Sequence, residues 1–206
     1  MEIKPLYQLG HSLFKFFGGT FFSFRVVHPE RMIDEGPAIL AMNHQSYLDP
    51  PMAGITCERE LYTLARNTLF KSRFMSWVLP RINVVPIDPK GGDSTALKLS
   101  VRILKQGYAT LIFPEGTRSR DGQLQPAQPG IGFIIAKTLA PVVPMRIFGS
   151  YEALSRNSKR LRCVPITVVL GEPIHFTKAD LEGGREVYQR LADRVMAAIA
   201  AIEYVE

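Results

Sequence analysis

Two short polar segments of this chain combine residue types that can move a proton and hold an anion. Residues 43–49 read Asn-His-Gln-Ser-Tyr-Leu-Asp, so that His44 precedes Asp49 by five positions. Residues 113–119 read Phe-Pro-Glu-Gly-Thr-Arg-Ser, a polar, glycine-containing stretch that follows an apolar run. Together the two segments predict an enzyme that activates a hydroxyl group beside a charged group.

The pairing of His44 with Asp49 suits general-base catalysis. Histidine titrates near neutral pH without help, and a carboxylate bonded to one ring nitrogen fixes the tautomer and stabilises the protonated ring. The two side chains can meet if a turn or a helix start lies between them, and Asn43 or Ser46 could cap that helix. This spacing also arises by chance, and it equally fits a capping His44 with Asp49 packed in a turn.

We expect no covalent enzyme intermediate. Ser46 lies close to His44, but no Gly-x-Ser-x-Gly elbow surrounds it, and Cys57 lacks a local activating signature. We therefore favour direct attack of a substrate hydroxyl on a thioester carbonyl, with His44 removing the hydroxyl proton.

The second segment predicts an anion-binding turn. Pro114 and Gly116 favour a sharp bend, and the backbone N–H groups of such a bend can face an anion. Arg118 offers a planar guanidinium suited to phosphate, while Thr117 and Ser119 supply hydroxyl donors.

Glu115 is the one residue of this turn that would repel a phosphate. We expect it to orient Arg118 or a substrate hydroxyl instead. The alternative for the whole loop is a surface turn with an internal ion pair between Glu115 and Arg118.

Composition and charge narrow the class of protein. The chain has 206 residues, 46% of them hydrophobic and 21% charged, which is enough for one folded α/β domain with a core. Its formal net charge of +6 favours an anionic partner, such as a membrane surface or a phosphorylated substrate. Nucleic acid is not an expected partner, because no helix-turn-helix, RNA-binding aromatic motif or zinc site accompanies the basicity.

The N-terminal segment predicts an amphipathic helix at the membrane interface. Apolar residues recur at close to helical spacing between Pro5 and Phe17, namely Leu6, Leu9, Leu13, Phe16 and Phe17. Charged and glycine residues interrupt this region, so it does not qualify as a membrane span. We assign residues 1–20 to the interface and residues 21–206 to the enzymatic domain, associated with the cytoplasmic face of a membrane. The alternative is a helix docked on the domain's own core.

Strand-like and helix-like patterns alternate along the rest of the chain. Strands are predicted at residues 22–27, 37–42, 61–65, 83–87, 109–113, 142–147 and 166–170. Helices are predicted from Asp93 or Ser94 to Gly107, at residues 131–137 and after Thr177. A further helix is predicted through Phe70, Phe74 and Trp77, with these side chains in the core. This alternation predicts an α/β fold with a mostly parallel central sheet flanked by helices. Ligands bind beyond the carboxyl ends of such strands, where His44 and Glu115 would both lie if their strands are parallel.

The two segments resemble the signature blocks of the glycerophospholipid acyltransferase family, typified by lysophosphatidate acyltransferases. That family is marked by Asn-His-x-x-x-x-Asp and Phe-Pro-Glu-Gly-Thr-Arg-Ser blocks separated by roughly 70 residues, and both are complete here. Val143-Pro144 sits where the family's late Val-Pro block would fall. The resemblance runs from about residue 22 to residue 170.

This resemblance implies a role for each matching residue. His44 would be the base and Asp49 would hold it, while Val143 and Pro144 would line the acyl channel. The acceptor's glycerol phosphate would be bound by the turn residues Glu115, Gly116, Thr117 and Arg118. The donor would be acyl-CoA or acyl carrier protein, the acceptor 1-acyl-glycerol-3-phosphate, and the product phosphatidic acid, with no metal or cofactor required.

One block departs from the family's pattern. In chain order, the family's second block lies between the two signature blocks described above, and here it corresponds to residues 83–89. This second block usually ends in an arginine that helps to hold phosphate, but residues 83–89 read Asn-Val-Val-Pro-Ile-Asp-Pro. Arg81 or Lys90 could substitute, although lysine does not reproduce the planar fork of arginine. Another lysolipid, such as a lyso-ornithine lipid or a lysophospholipid with a larger head group, is therefore the alternative acceptor.

Overall fold

A central β-sheet organises the protein. The computed structural model describes residues 5–88, 92–158, 160–184 and 186–204. Within these residues the sheet has seven strands: β1 (Arg25–Val27), β2 (Ala38–Met42), β3 (Leu61–Arg66), β4 (Val84–Ile87), β5 (Ala109–Ile112), β6 (Val142–Phe148) and β7 (Thr167–Leu170). Their spatial order is β1-β7-β6-β2-β5-β3-β4.

Helices connect these strands. They are α1 (Pro5–Phe22), α2 (Asp49–Thr56), α3 (Arg73–Val78), α4 (Gly92–Lys105), α5 (Gly130–Thr138), α6 (Ser150–Leu154) and α7 (Glu186–Ala200). Short 3₁₀ turns add Pro29–Arg31, Asn67–Phe70, Leu79–Ile82 and Lys178–Leu181. The predicted α/β fold with a mostly parallel sheet flanked by helices is confirmed.

Strand direction decides where the site lies. The central strands β6, β2, β5, β3 and β4 pair in parallel, as do β1 and β7, and among the described strands only the β6–β7 pair is antiparallel. In the register of β2 and β5, Ala41 pairs with Ile112. Because these neighbours run in the same direction, the segments that follow Met42 and Ile112 emerge side by side at one edge of the sheet.

The middle of the sheet is the core of the protein. Every residue of β2 is buried, as expected for a short apolar strand covered on both faces. Leu40 and Met42 belong to the hydrophobic cluster under α2, and Ile39 and Ala41 belong to the cluster under α5 and α7. A rigid, close-packed strand therefore leads directly into the histidine segment.

The prediction of one helix through Phe70, Phe74 and Trp77, with these side chains in the core, is wrong. The segment breaks into a 3₁₀ turn, the short helix α3 and a second 3₁₀ turn. Ser72 starts α3 by accepting a hydrogen bond from the Met75 N–H at 3.1 Å. Phe74 and Trp77 are 65% and 52% exposed, so they are not core residues.

Several predicted element ends also shift. The helix α1 continues to Phe22, so the expected strand at residues 22–27 is confined to β1 and the boundary at residue 20 falls inside a helix. The helix α4 begins at Gly92, before the predicted caps Asp93 and Ser94. Thr177 caps a 3₁₀ turn rather than a long helix. Gly107, with a φ of 87°, ends α4 as predicted.

The N-terminal helix α1 has a docked face and an exposed face. Tyr7, Gly18 and Phe22 are buried, and the Tyr7 hydroxyl donates to the Arg59 carbonyl. A Cβ on Gly18 would lie 3.0 Å from Ile55, so glycine permits the close approach to α2. The opposite face exposes Leu9, Leu13, Phe14, Phe16, Phe17 and Phe21. None of the helices in the described part of the chain is long and apolar enough to cross a membrane.

Candidate active site

The predicted histidine–carboxylate pair is formed. Nδ1 of His44 lies 2.9 Å from Oδ2 of Asp49. His44 follows β2 through Asn43, and Asp49 is the first residue of α2, so the strand end and the helix start fix the two partners. A turn between strand and helix is what the spacing of five residues required.

Asp49 is fully buried and its carboxylate is saturated with hydrogen-bond donors. Oδ2 accepts from the backbone N–H groups of Gln45 at 2.6 Å and Ser46 at 2.7 Å, in addition to the His44 ring. Oδ1 accepts from the Ser150 hydroxyl at 2.6 Å. These donors offset the free-energy cost of burying the charge.

The Asp49 contact determines which ring nitrogen of His44 is available. A carboxylate accepts, so Nδ1 carries the proton and Nε2 of the neutral ring keeps a free lone pair. Nε2 has no hydrogen-bond partner among the described residues, and the His44 side chain is 16% exposed. The ring stacks on Phe113 with 3.8 Å between centroids and 17° between planes. The imidazole is thus held on one face and at one nitrogen, with the other nitrogen open to a substrate.

The segment at residues 113–119 is hydrogen-bonded to the backbone of His44. Oε1 of Glu115 accepts from the His44 N–H at 2.9 Å, and the Ser119 N–H donates to the His44 carbonyl at 2.7 Å. The two sequence blocks therefore form one unit. Glu115 does not pair with Arg118, so the alternative of an internal ion pair is wrong, as is the expectation that Glu115 orients Arg118. Glu115 is only 3% exposed, and its expected contact with a substrate hydroxyl stays a prediction. This geometry gives Glu115 a positioning role, and its assignment to substrate binding stays a prediction.

Burial changes the acidity of Glu115. Removal of the carboxyl from water, opposed by hydrogen bonds from the His44 and Gln125 backbones, raises the pKa of Glu115 to about 7. The Oε2 atom is buried and has no hydrogen-bond partner among the described residues. The site therefore contains a carboxyl that is partly protonated at neutral pH.

The bend after β5 has the predicted sharp turn. The Gly116 N–H donates to the Phe113 carbonyl at 3.0 Å, and the φ of 70° at Gly116 favours glycine. Thr117 is exposed and available to a ligand. Ser119 is not available as predicted, since it is 2% exposed and its hydroxyl donates to Asp121 at 2.9 Å.

Arg118 lies over an aromatic ring that sequence reasoning did not single out. Its Cζ atom is 3.5 Å from the centroid of Tyr47, a residue between His44 and Asp49. The Arg118 guanidinium beside the phenol holds the pKa of Tyr47 below its usual range. Nη1 of Arg118 is buried and has no hydrogen-bond partner among the described residues. An anion placed here would meet a guanidinium that no carboxylate neutralises.

Ser150 is a site residue that no local sequence signal indicates. It follows Gly149, where a Cβ would lie 2.0 Å from the Pro165 carbonyl oxygen, so glycine is required at that position. The Ser150 hydroxyl donates to Asp49 and accepts from Nε2 of Gln45 at 3.1 Å. This contact spans about a hundred residues of sequence, and only the path of β6 alongside β2 reveals it.

The predicted helix caps are wrong. The N-cap of α2 is Leu48, without a side-chain hydrogen bond. Asn43 instead extends the pairing of β2 with β6, since its Oδ1 accepts from the Ile147 N–H at 2.8 Å. The Ser46 hydroxyl donates to the Leu154 carbonyl and accepts from the Leu48 N–H, so it braces the loop before α2.

The remaining predicted residues lie apart from the His44 ring. Val143 and Pro144 are consecutive buried residues of β6 and face opposite sides of the sheet, Val143 in the cluster under α2. Their role in an acyl channel stays a prediction. Arg81 precedes β4, at the amino end of a strand parallel to those that carry the site, and its guanidinium binds Trp77. This placement does not support Arg81 as the substitute phosphate ligand, and Lys90 lies outside the described residues.

The Glu115 carboxyl generates a prediction about stability. Its raised pKa means that the folded protein holds a proton that the unfolded chain releases, so stability falls as pH rises through the interval between the two pKa values. Glu115→Gln keeps the acceptor oxygen and cannot titrate. Between about pH 5 and about pH 8, we expect the unfolding free energy of the wild type to fall by on the order of 2 kcal/mol relative to this variant, measured by urea denaturation. A difference that stays constant across this range would show that Glu115 titrates normally in the folded protein.

Comparisons with known proteins show what this chain is similar to. A 1-acyl-sn-glycerol-3-phosphate acyltransferase of Brassica napus is 32% identical over 149 residues, which make up 70% of this chain and 43% of that protein. This chain thus spans less than half the length of that relative. A Bacillus subtilis protein with the same name is 24% identical over 152 residues, 73% of each chain.

A solved structure and a family model complete the comparison. The crystal structure of the 1-acyl-sn-glycerophosphate acyltransferase PlsC from Thermotoga maritima superposes with a TM-score of 0.74 at 24% identity, over 98% of this chain and 81% of that one, which shows the shared fold. A family model described as Acyltransferase matches residues 23–148, which is more than half of the chain and includes His44, Asp49 and Arg118. The chain belongs to the Acyltransferase family.

Proposed function

We propose that this protein is a lysophosphatidate acyltransferase, which moves a fatty acyl chain from a thioester to the free hydroxyl of 1-acyl-glycerol-3-phosphate and yields phosphatidic acid. The observation that carries this proposal is the open Nε2 of His44. Asp49 holds the other ring nitrogen, and the His44 backbone is hydrogen-bonded to the loop that bears Arg118. A base and an anion-binding group therefore belong to one rigid unit. The names of the relatives support the same acceptor.

The chemistry follows from the geometry of the pair. The acceptor hydroxyl gives its proton to Nε2 of His44 as its oxygen attacks the thioester carbonyl carbon. The new C–O bond forms, the C–S bond breaks, and the proton passes from His44 to the departing thiolate. Asp49 stabilises the imidazolium between these two transfers, and no enzyme nucleophile takes part.

The donor is a thioester of either coenzyme A or acyl carrier protein. Both supply the same reacting group, so the role of His44 is the same for either one. Val143 and Pro144 remain the proposed lining of the acyl channel. No metal or further cofactor enters the proposed steps.

A second acceptor class is supported by the missing arginine. The described part of the second block contains no arginine, and Arg81 binds Trp77 elsewhere. A lyso-ornithine lipid or a lysophospholipid with a larger head group would demand less positive charge than a phosphomonoester. A non-catalytic lipid-binding protein is disfavoured, because a buried, saturated Asp49 that orients a histidine has no use in lipid binding alone.

The exposed face of α1 fits a membrane surface. Six large apolar side chains of this helix are between 45% and 69% exposed, which is costly in water. Leu69, Phe74 and Trp77 add exposed apolar area, and the adjoining 3₁₀ turn meets α1 where Ile82 approaches Gly10. We propose peripheral attachment to an anionic membrane on its cytoplasmic face.

Removal of the base tests the proposed activity. His44→Ala should lower kcat by at least about a thousandfold while the circular dichroism spectrum stays that of the folded protein, since a positioned base contributes factors of this order. Product mass from a panel of lysolipids, offered with labelled acyl-CoA and labelled acyl carrier protein, identifies acceptor and donor together. His175→Ala, at an exposed histidine outside the site, is the matched control and should retain full activity.

Two outcomes would contradict this function. Wild-type turnover that survives in His44→Ala would remove the histidine from the reaction. A folded wild-type protein that acylates none of the lysolipids would leave lipid binding as the better account.

The membrane proposal has its own test. Leu13→Ser combined with Phe16→Ser should weaken binding to anionic phospholipid vesicles by roughly tenfold or more in cosedimentation, because each apolar side chain contributes on the order of 1 kcal/mol at an interface. Leu161→Ser, at an equally exposed leucine away from α1, should bind like wild type. Equal binding of all three proteins would show that α1 does not meet the membrane.

A further inference from the structure

The phosphate site built from the signature residues is short of positive charge. The proposed acceptor ends in a phosphomonoester, which carries close to two negative charges at neutral pH. Arg118 is the one arginine that the signature blocks supply, and the expected partner in the second block is absent. A second cation must come from another part of the chain if the phosphomonoester is to be bound tightly.

Tyr47 fixes the orientation of the first cation. The Cζ atom of Arg118 lies 3.5 Å from the centroid of the Tyr47 ring, a distance at which the cation is attracted to the face of the ring. Arg118 forms no ion pair with a described residue, and its Nη1 has no partner there. The Tyr47 ring therefore orients the guanidinium of Arg118 without neutralising its charge.

The loop after α6 brings a second arginine into the neighbourhood of Tyr47. Ser46 and Ser155 form an antiparallel bridge, and the Ser46 hydroxyl donates to the Leu154 carbonyl at 2.6 Å. These contacts fix the backbone next to Arg156, whose exposed side chain forms no ion pair with a described residue. After the larger effects of Arg118, the charge of Arg156 also lowers the pKa of Tyr47, so it acts at this ring.

We propose that Arg118, oriented by Tyr47, and Arg156 together form the recognition site for the phosphomonoester of the acceptor. Arg156 supplies the charge that the second block lacks, from a loop that the signature blocks do not include. Tyr47 is a positioning residue that acts through Arg118. This inference rests on the proposed function, since it specifies how that site selects lysophosphatidate over lysolipids with larger head groups.

Steady-state kinetics with a fixed thioester donor tests the second cation. Arg156→Gln should raise KM for lysophosphatidate about tenfold and leave kcat within about twofold, because one charge-assisted contact is lost in substrate binding. With lysophosphatidylcholine, a zwitterionic diester, the same variant should match wild type. Arg156→Lys should recover part of the affinity. Arg160→Gln removes the same charge four residues along the chain and should leave both constants unchanged.

Two substitutions at Tyr47 separate the role of its ring from the role of its hydroxyl. Tyr47→Phe retains the surface on which Arg118 lies and should keep the wild-type KM. Tyr47→Ala should raise KM for lysophosphatidate by about threefold to tenfold without a matching change for lysophosphatidylcholine. Equal loss with both acceptors would indicate a general structural defect and would overturn the positioning role.

Binding measurements keep this inference separate from the proposed reaction. If the wild type acylates no lysolipid, the proposed function fails, but calorimetric titration of lysophosphatidate below its micellar concentration still compares the variants. Weaker binding to Arg156→Gln than to Arg160→Gln supports the two-arginine site. Equal binding or equal KM in these two variants overturns it.

Discussion

The buried carboxylate of Asp49 is the constraint on which the site depends. A charge with no solvent contact is stable only if donors surround it, and here four donors do so, from His44, Gln45, Ser46 and Ser150. Three of them belong to the loop between β2 and α2, so satisfying the carboxylate also determines the path of that loop. The consequence for chemistry is that the proton of the His44 ring is held at Nδ1 and the basic nitrogen faces outward.

The sheet joins this pair to the anion-binding loop. Since β2 and β5 are parallel neighbours, both signature segments leave the sheet at the same edge. Glu115 and Ser119 then bind the two backbone groups of His44, which fixes the distance between the base and Arg118. Rigidity of this kind is what positioning catalysis requires, because small displacements of a reacting group cost large factors in rate.

The sequence allowed the fold and the central pair to be predicted because their signals are local. Short apolar runs marked the strands, and the five-residue spacing of His44 and Asp49 needs only one turn to close. What could not be predicted are contacts between distant segments: the inward turn of Glu115, the Ser150 hydroxyl on Asp49 and the stack of Arg118 on Tyr47. The prediction for the region around Trp77 was wrong for a different reason. Its apolar residues have helical spacing but Ser72 and Pro80 divide it into short turns, and its aromatic side chains face outward.

The central claim is that Asp49 holds the proton of the His44 ring at Nδ1 and leaves Nε2 as the base. Nitrogen-15 NMR of protein labelled in its histidine rings measures this directly, and a His44→Gln sample identifies the His44 signals among the four histidines. For the neutral ring, we predict a protonated Nδ1, an unprotonated Nε2 and loss of this preference in Asp49→Ala. A neutral His44 ring with its proton on Nε2 in the wild type would contradict the account.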